Sequence, residues 1–127
     1  MDFLKRFVGG GPEDTGPVVA APPRLTTTLS RTFGERLKKL IQKGEHAVLI
    51  IDFSHTQYID SAALGEIESA RRRATENDSE LVLAGMNRRV ADLYRVTRMN
   101  TLYRIYTTVE EALAAGNEPD PPGPMAA

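Results

Sequence analysis

The chain has 127 residues, 41% of them hydrophobic and 26% charged, with a formal net charge of −1. Such a composition suits one globular domain with short tails, large enough to bury a core unaided, and lacks the basic surplus that nucleic acid attracts. With no cysteine, disulfides, thiolate metal sites and a cysteine nucleophile are excluded, and His46 and His55 alone are too few for a histidine-rich metal site.

Met1 to Val8 is apolar and basic but has no apolar h-region or small-residue cleavage site, so it does not read as a signal peptide. It is expected to be frayed or weakly docked. The sharper alternative is a short amphipathic contact with a partner or a membrane surface, too small for firm anchoring. The longest apolar run, Ala47 to Ile51, is strand-sized, so no transmembrane segment is expected and the protein is placed in the cytoplasm.

Gly9 to Pro23 reads as a linker. Gly9, Gly10, Gly11 and Gly16 are entropically costly to order, and Pro12, Pro17, Pro22 and Pro23 cannot donate to a ladder. Within it, Val18-Val19-Ala20 is a candidate short edge strand. Residues 1–23 are thus expected to be flexible and dispensable for folding, the domain to occupy 24–115, and the proline-rich tail 116–127 to be disordered.

Leu25 to Leu29 is rich in threonine and predicts a strand. Thr32-Phe33-Gly34-Glu35 fits a capping box, after which Phe33, Leu37, Leu40 and Ile41 recur at helical spacing. Gly44 suits the left-handed end of that helix. Ala47 to Phe53 reads as a strand buried on both faces. A helix starting at Ser61 carries the small-residue face Ala62, Ala63, Ile67 and Ala70, and Asn77-Asp78 marks a turn. Leu81 to Ala84 is a second buried strand, closed by Gly85. Val90, Leu93, Tyr94 and Thr97 line a third helix, Leu102 to Tyr106 is another strand, and Thr108-Val109-Glu110-Glu111 caps a last helix to about Ala115. Strands alternating with helices of this length predict an α/β fold with a mainly parallel sheet and right-handed crossovers.

Ile51 to Gly65 is the stretch with chemistry in it. It leaves a buried strand, crosses a short loop and enters a helix at Asp60-Ser61. A serine there sits beside free backbone N–H groups and the positive end of the helix dipole, a place that tolerates a phosphate. Taken alone, an Asp-Ser pair at a helix start reads first as a plain N-cap. No glycine-rich phosphate loop precedes a helix, and no paired carboxylates or Ser-His-Asp arrangement point to catalysis, so the chain is not expected to be an enzyme. Arg71 to Arg73 and Arg88, Arg89, Arg95 and Arg98 read as solvated helix faces, with docking to an acidic partner or phosphate as the alternative.

Tyr58 to Gly65, following Val48 to Ser54, resembles the signature of STAS domains. In that family a hydrophobic strand ends in Asp-Leu-Ser or similar, and Asp-Ser, a small residue, Gly, Leu and Gly follow a few residues later. Glu80 to Gly85, Asn87 to Met99, Tyr103 to Tyr106 and Thr108 to Leu113 resemble the family's later strand, helix, strand and helix in order. The resemblance runs from about Leu25 to Ala115 and implies a single STAS-like α/β domain, with about four to five strands in a mainly parallel, mixed sheet and about four helices.

It also implies a function: a non-enzymatic phospho-switch, the bacterial anti-sigma-factor antagonist. Ser61 matches the serine phosphorylated in that family, Asp60 the aspartate before it, and Asp52 the aspartate ending the preceding strand. Asp52, His55, Tyr58, Asp60, Ser61, Ala62, Ala63 and Leu64 are the expected partner-binding residues. The implied partners are an anti-sigma factor/serine kinase with a histidine-kinase-like ATPase domain and a serine phosphatase. No cofactor, no metal and no direct nucleic-acid contact are expected. The alternatives are a scaffold STAS protein of a larger signalling or cytoskeletal assembly, or the STAS subunit of a lipid or organic-anion transport system.

The chain departs from the family pattern at three places. Ala63 replaces a usual glycine, placing a methyl where a partner could approach closely. Arg98-Met99-Asn100 replaces a glycine turn, with Asn100 the expected left-handed residue. Pro17 to Pro23 intervenes where the family opens with two strands, so one strand is expected to be missing or irregular.

Overall fold

A computed structural model describes residues 16–116. In chain order these form β1 (Val18–Ala20), β2 (Arg24–Leu25), α1 (Thr27–Lys43), β3 (Val48–Asp52), β4 (Tyr58–Ile59), α2 (Ser61–Glu76), β5 (Glu80–Ala84), α3 (Arg88–Val96), a 3₁₀ turn (Met99–Leu102), β6 (Arg104–Tyr106) and α4 (Val109–Ala115). The α/β expectation holds: β1, β3, β5 and β6 make a four-stranded sheet in that order, parallel throughout, and β2 and β4 form a separate parallel pair.

β3 is buried at every position, as its unbroken Val-Leu-Ile-Ile run requires of a strand covered on both faces. Period-2 alternation divides the core. Val19, Leu49, Ile51, Leu81 and Leu83 face one layer with Phe33, Leu37 and Ile41 of α1, Ile67 and Ala70 of α2, and Val90 and Tyr94 of α3. Val48, Ile50, Val82 and Ala84 face the other layer against Ala112 of α4. The strand order advances in one direction, so crossovers of one hand place α1, α2 and α3 on the same face. Among the described residues, only α4, the helix after the last strand, covers the other.

Several local expectations are corrected. The linker assigned through Pro23 ends earlier, because Val18–Ala20 is the edge strand β1, paired Val18 to Ile50, Val19 to Ile51 and Ala20 to Asp52. Its prolines lie just outside the paired residues, where no ladder N–H is missed. Both N-terminal strands are therefore present. The expected flexibility of residues 1–15 and disorder of 117–127, with the membrane contact of 1–8, lie outside the described residues.

The strand predicted for Leu25–Leu29 shrinks to Arg24–Leu25, and α1 begins at Thr27 rather than at a Thr32 capping box. Threonine costs a helix only a few tenths of a kcal/mol, roughly 0.5, so the pull of Ser30, Phe33, Leu37 and Ile41 into the core decides. Gly34 lies where α1 meets α2, and a Cβ there would come within 3.1 Å of Glu66 Cβ. Gly44 ends α1 at φ 70°, as expected. At the end of α3 the left-handed residue is Arg98, φ 63°, not Asn100. The helix stops at Val96, one turn before Asn100, and Asn100 falls inside the 3₁₀ turn. For the same reason β6 starts at Arg104 rather than Leu102.

α2 is tied to the strand side by Glu68. Its carboxylate accepts from Arg71 Nε and Nη2, both at 2.8 Å, from Arg72 Nε at 3.3 Å and from the Tyr103 hydroxyl at 3.1 Å. The Arg71 hydrogen bonds hold the Glu68 carboxyl below the ordinary glutamate value, against burial, which pushes it up. Because the folded value is depressed, the stabilisation is present above the unfolded carboxylate range and is lost as pH falls through the folded value. Glu68→Gln is expected to cost about 1 kcal/mol at pH 7, small because water still reaches the pair. Urea titrations at pH 7 and pH 3 check this: the gap between wild type and Glu68→Gln should narrow at the lower pH.

Candidate functional site

The loop from Phe53 to Asp60 leaves the C-terminal end of β3 and is held on three sides. Asp52 is buried, and its Oδ1 accepts from the Ser54 backbone N–H at 2.8 Å, turning the chain at once. Thr56 is buried too; its hydroxyl reaches Pro22 O at 2.9 Å and Ala21 O at 3.2 Å. The Gln57 N–H donates to Pro23 O at 2.8 Å, and the Asp60 N–H to Leu25 O at 3.4 Å. The segment 21–25, between β1 and α1, thus receives most of the loop's bonds.

From the other side, Asn87 Nδ2 donates to Thr56 O at 3.2 Å, while Asn87 Oδ1 caps α3 by accepting from Val90 N at 2.8 Å. Gly85, at φ 77°, lies against Ser54; a Cβ would sit 3.1 Å from Ser54 N. Glycine is required there twice over, by conformation and by space.

Asp60 joins two helices. Oδ1 accepts from Ala63 N at 3.0 Å as the N-cap of α2, and Oδ2 accepts from Thr27 N at 3.3 Å at the start of α1. Thr26, the N-cap of α1, contributes no side-chain bond of its own, so Asp60, 33 positions beyond Thr27, does part of its work. One carboxylate fixed between two helix N-termini leaves Ser61 at a defined place, the first residue of α2.

Ser61 is exposed, and its hydroxyl makes no hydrogen bond among the described residues. It lines an open groove of about 500 Å³ with Tyr58, Ile59 and Asp60 on one side and Arg89, Asp92, Leu93 and Val96 of α3 on the other. Val96 is 69% exposed. The Arg24 guanidinium lies over the Tyr58 ring, 5.0 Å from its centroid.

The expected site residues therefore separate. His55, Ser61 and Ala62 are on the surface, and Tyr58 and Asp60 are half-buried. Ala63 and Leu64 turn into the core, because that side of the first turn of α2 packs inward while Ser61 and Ala62 face out; the Ala63 methyl obstructs nothing outside. Asp52 acts on the loop rather than on the surface. Sequence reading noticed Arg89 only as part of a charge cluster and missed Leu93 and Val96 as the far wall of the groove. It also missed Thr56 and Asn87 as staples. Asn87 was findable, since Asn directly before an amphipathic run is an N-cap signal. Thr56 carries no local signal, its partners being 34 and 35 residues away.

Residues 14–112 match the family model described as STAS domain. The anti-sigma-B factor antagonist of Listeria monocytogenes is 33% identical over 67 residues, which are 53% of this chain. The chain spans only 59% of the length of that curated relative. Among solved structures, the anti-sigma factor antagonist SpoIIAA in its unphosphorylated form superposes with a TM-score of 0.68 at 16% identity, covering 77% of this chain and 84% of its own. The phosphorylated form of SpoIIAA from Bacillus gives 0.62 at 15%, over 77% and 87%. The STAS domain of a SulP transporter from Vibrio cholerae gives 0.63 at 16%, over 77% and 78%. Among the described residues no helix is long and apolar enough to cross a membrane.

Proposed function

The chain belongs to the STAS domain family, and on that premise we propose that it is an anti-sigma factor antagonist acting as a non-enzymatic phospho-switch at Ser61. The observation that carries this reading is the placement of Ser61: exposed, at the first position of α2, beside an open groove and directly after an anchored loop. A kinase can reach such a hydroxyl without unfolding anything. A phosphate there meets the positive end of a helix, so the core survives while the surface changes.

In the unphosphorylated state the face around Ser61, with Ala62, His55 and Tyr58, binds a cytoplasmic anti-sigma factor carrying a histidine-kinase-like ATPase domain. That partner moves the γ-phosphoryl group of ATP to Ser61 Oγ, with loss of the hydroxyl proton and release of ADP. A serine phosphatase hydrolyses the ester, returning serine and inorganic phosphate. This chain supplies the acceptor and the docking face, and no cofactor or metal.

Incubation with ATP and a kinase-like anti-sigma factor encoded beside this protein, followed by mass spectrometry, tests the reading. One phosphate on Ser61, absent from Ser61→Ala, is expected. No phosphate on Ser61 with an active kinase overturns it. The likeness to a transporter's STAS domain supports a second reading, a subunit of an anion transport system. Co-purification with a membrane transporter instead of an anti-sigma factor would favour it.

A further inference from the structure

We propose that Arg89 is the built-in counter-ion of the Ser61 phosphate, reaching across the groove to hold it and closing the groove as it does so. The inference rests on phosphorylation of Ser61 and concerns what the modified side chain then does.

The charges of the groove carry the proposal. Three charged residues line it: Asp60, Asp92 and Arg89. Asp60 is committed to the Ala63 and Thr27 N–H groups. Asp92 is paired with Arg95 Nη2 at 2.7 Å. Arg24, the other nearby cation, is stacked on Tyr58. Of the three charged side chains that line the groove, only Arg89 has no hydrogen bond or ion pair among the described residues. A long cation is thus held unpaired at the first turn of α3, on a helix whose start is fixed by Asn87 to the same loop that precedes Ser61.

A phosphate on Ser61 brings about −1.5 to −2 charges into a groove that already contains two carboxylates. Without a cation the dianion would be disfavoured there. Arg89 answers that charge, and its planar guanidinium can take two phosphate oxygens at once. In that position its side chain spans the space between the first turn of α3 and Ser61. Phosphorylation then changes the face twice, by adding charge and by covering a recess that the unmodified protein leaves open.

The test uses full-length protein with phosphoserine installed at position 61 by codon expansion, so that it needs no kinase. A ³¹P NMR pH titration reads the second ionisation of the phosphate. It is expected to lie roughly half a pH unit lower in the wild-type background than in Arg89→Gln, the size of a partly exposed ion pair. Arg88→Gln is the control: Arg88 sits beside Arg89 on α3, is exposed and does not line the groove, so the titration should stay at the wild-type value. Titrations that coincide in wild type and Arg89→Gln overturn the inference and leave the phospho-switch standing. A shift equal in Arg88→Gln and Arg89→Gln also overturns it, because it would report only the net charge of α3. Absence of kinase-dependent phosphate on Ser61 in the mass-spectrometric experiment fails the switch reading instead, whatever the titration shows.

Discussion

A variant lacking residues 1–23 is expected to lose cooperative unfolding at 25 °C, whereas one lacking only residues 1–15 should melt close to the full-length protein. The first deletion removes β1 and with it Val19 and Ala21, both fully buried. Exposing the core surface that Val19 covered costs about 1.5–3 kcal/mol before any cavity cost is added. The ladder between β1 and β3 goes as well, and Ile50 and Ile51 lose their edge cover. The loop before Ser61 loses its acceptors at Ala21, Pro22 and Pro23, leaving the buried Thr56 hydroxyl unpartnered at a cost of about 1–3 kcal/mol. Together these losses approach the whole stability of a small domain, about 5–15 kcal/mol. Thermal melts followed by circular dichroism, with proton NMR dispersion as a second measure, check the outcome. A sharp transition in the variant lacking 1–23 would show β1 to be accessory and restore the domain boundary at residue 24.

Ser61→Asp is expected to fold at least as well as wild type and to bind an anti-sigma factor partner tenfold or more weakly. The two halves have opposite causes. At the first residue of α2 a carboxylate meets the positive helix end, which is worth about 0.3–1 kcal/mol to the fold. In a complex the same carboxylate, beside Asp60, must be stripped of water, and desolvating an unpaired charge costs several kcal/mol. A tenfold loss needs only about 1.4 kcal/mol of that penalty. Calorimetric titration against the partner, with melting temperatures measured in parallel, separates lost affinity from lost structure. Ser61→Ala should retain binding. If Ser61→Asp binds as tightly as wild type, Ser61 lies outside the docking face and serves only as the first residue of a helix.

The sequence by itself determined the features that rest on short-range periodicity and on intrinsic backbone preference. The Val48–Ile51 run could only be a strand covered on both sides. Gly44 was legible because a left-handed residue is cheap only without a Cβ. Thr108 was legible as a cap because its partner, Glu111 N, is three residues away. The start of α2 at Ser61 was legible for the same reason, with Asp60 bonding to Ala63 N.

Only the tertiary structure decided the rest, because the deciding partners lie far away in the chain. Pro17 to Pro23 has the composition of a linker, yet three residues within it are fixed by a ladder to β3, more than thirty positions on. The threonines from Thr26 to Thr28 favour a strand locally, but the burial of Phe33 and Leu37 and the reach of Asp60 to Thr27 N draw Thr27 and Thr28 into a helix. Ala63 and Leu64 stand beside Ser61 in sequence, yet a helix turns successive residues by about 100°, so one side of the same turn is surface and the other is core. Arg89, nearly thirty residues after Ser61, shares a groove with it only because the crossover from β5 places α3 across from the start of α2.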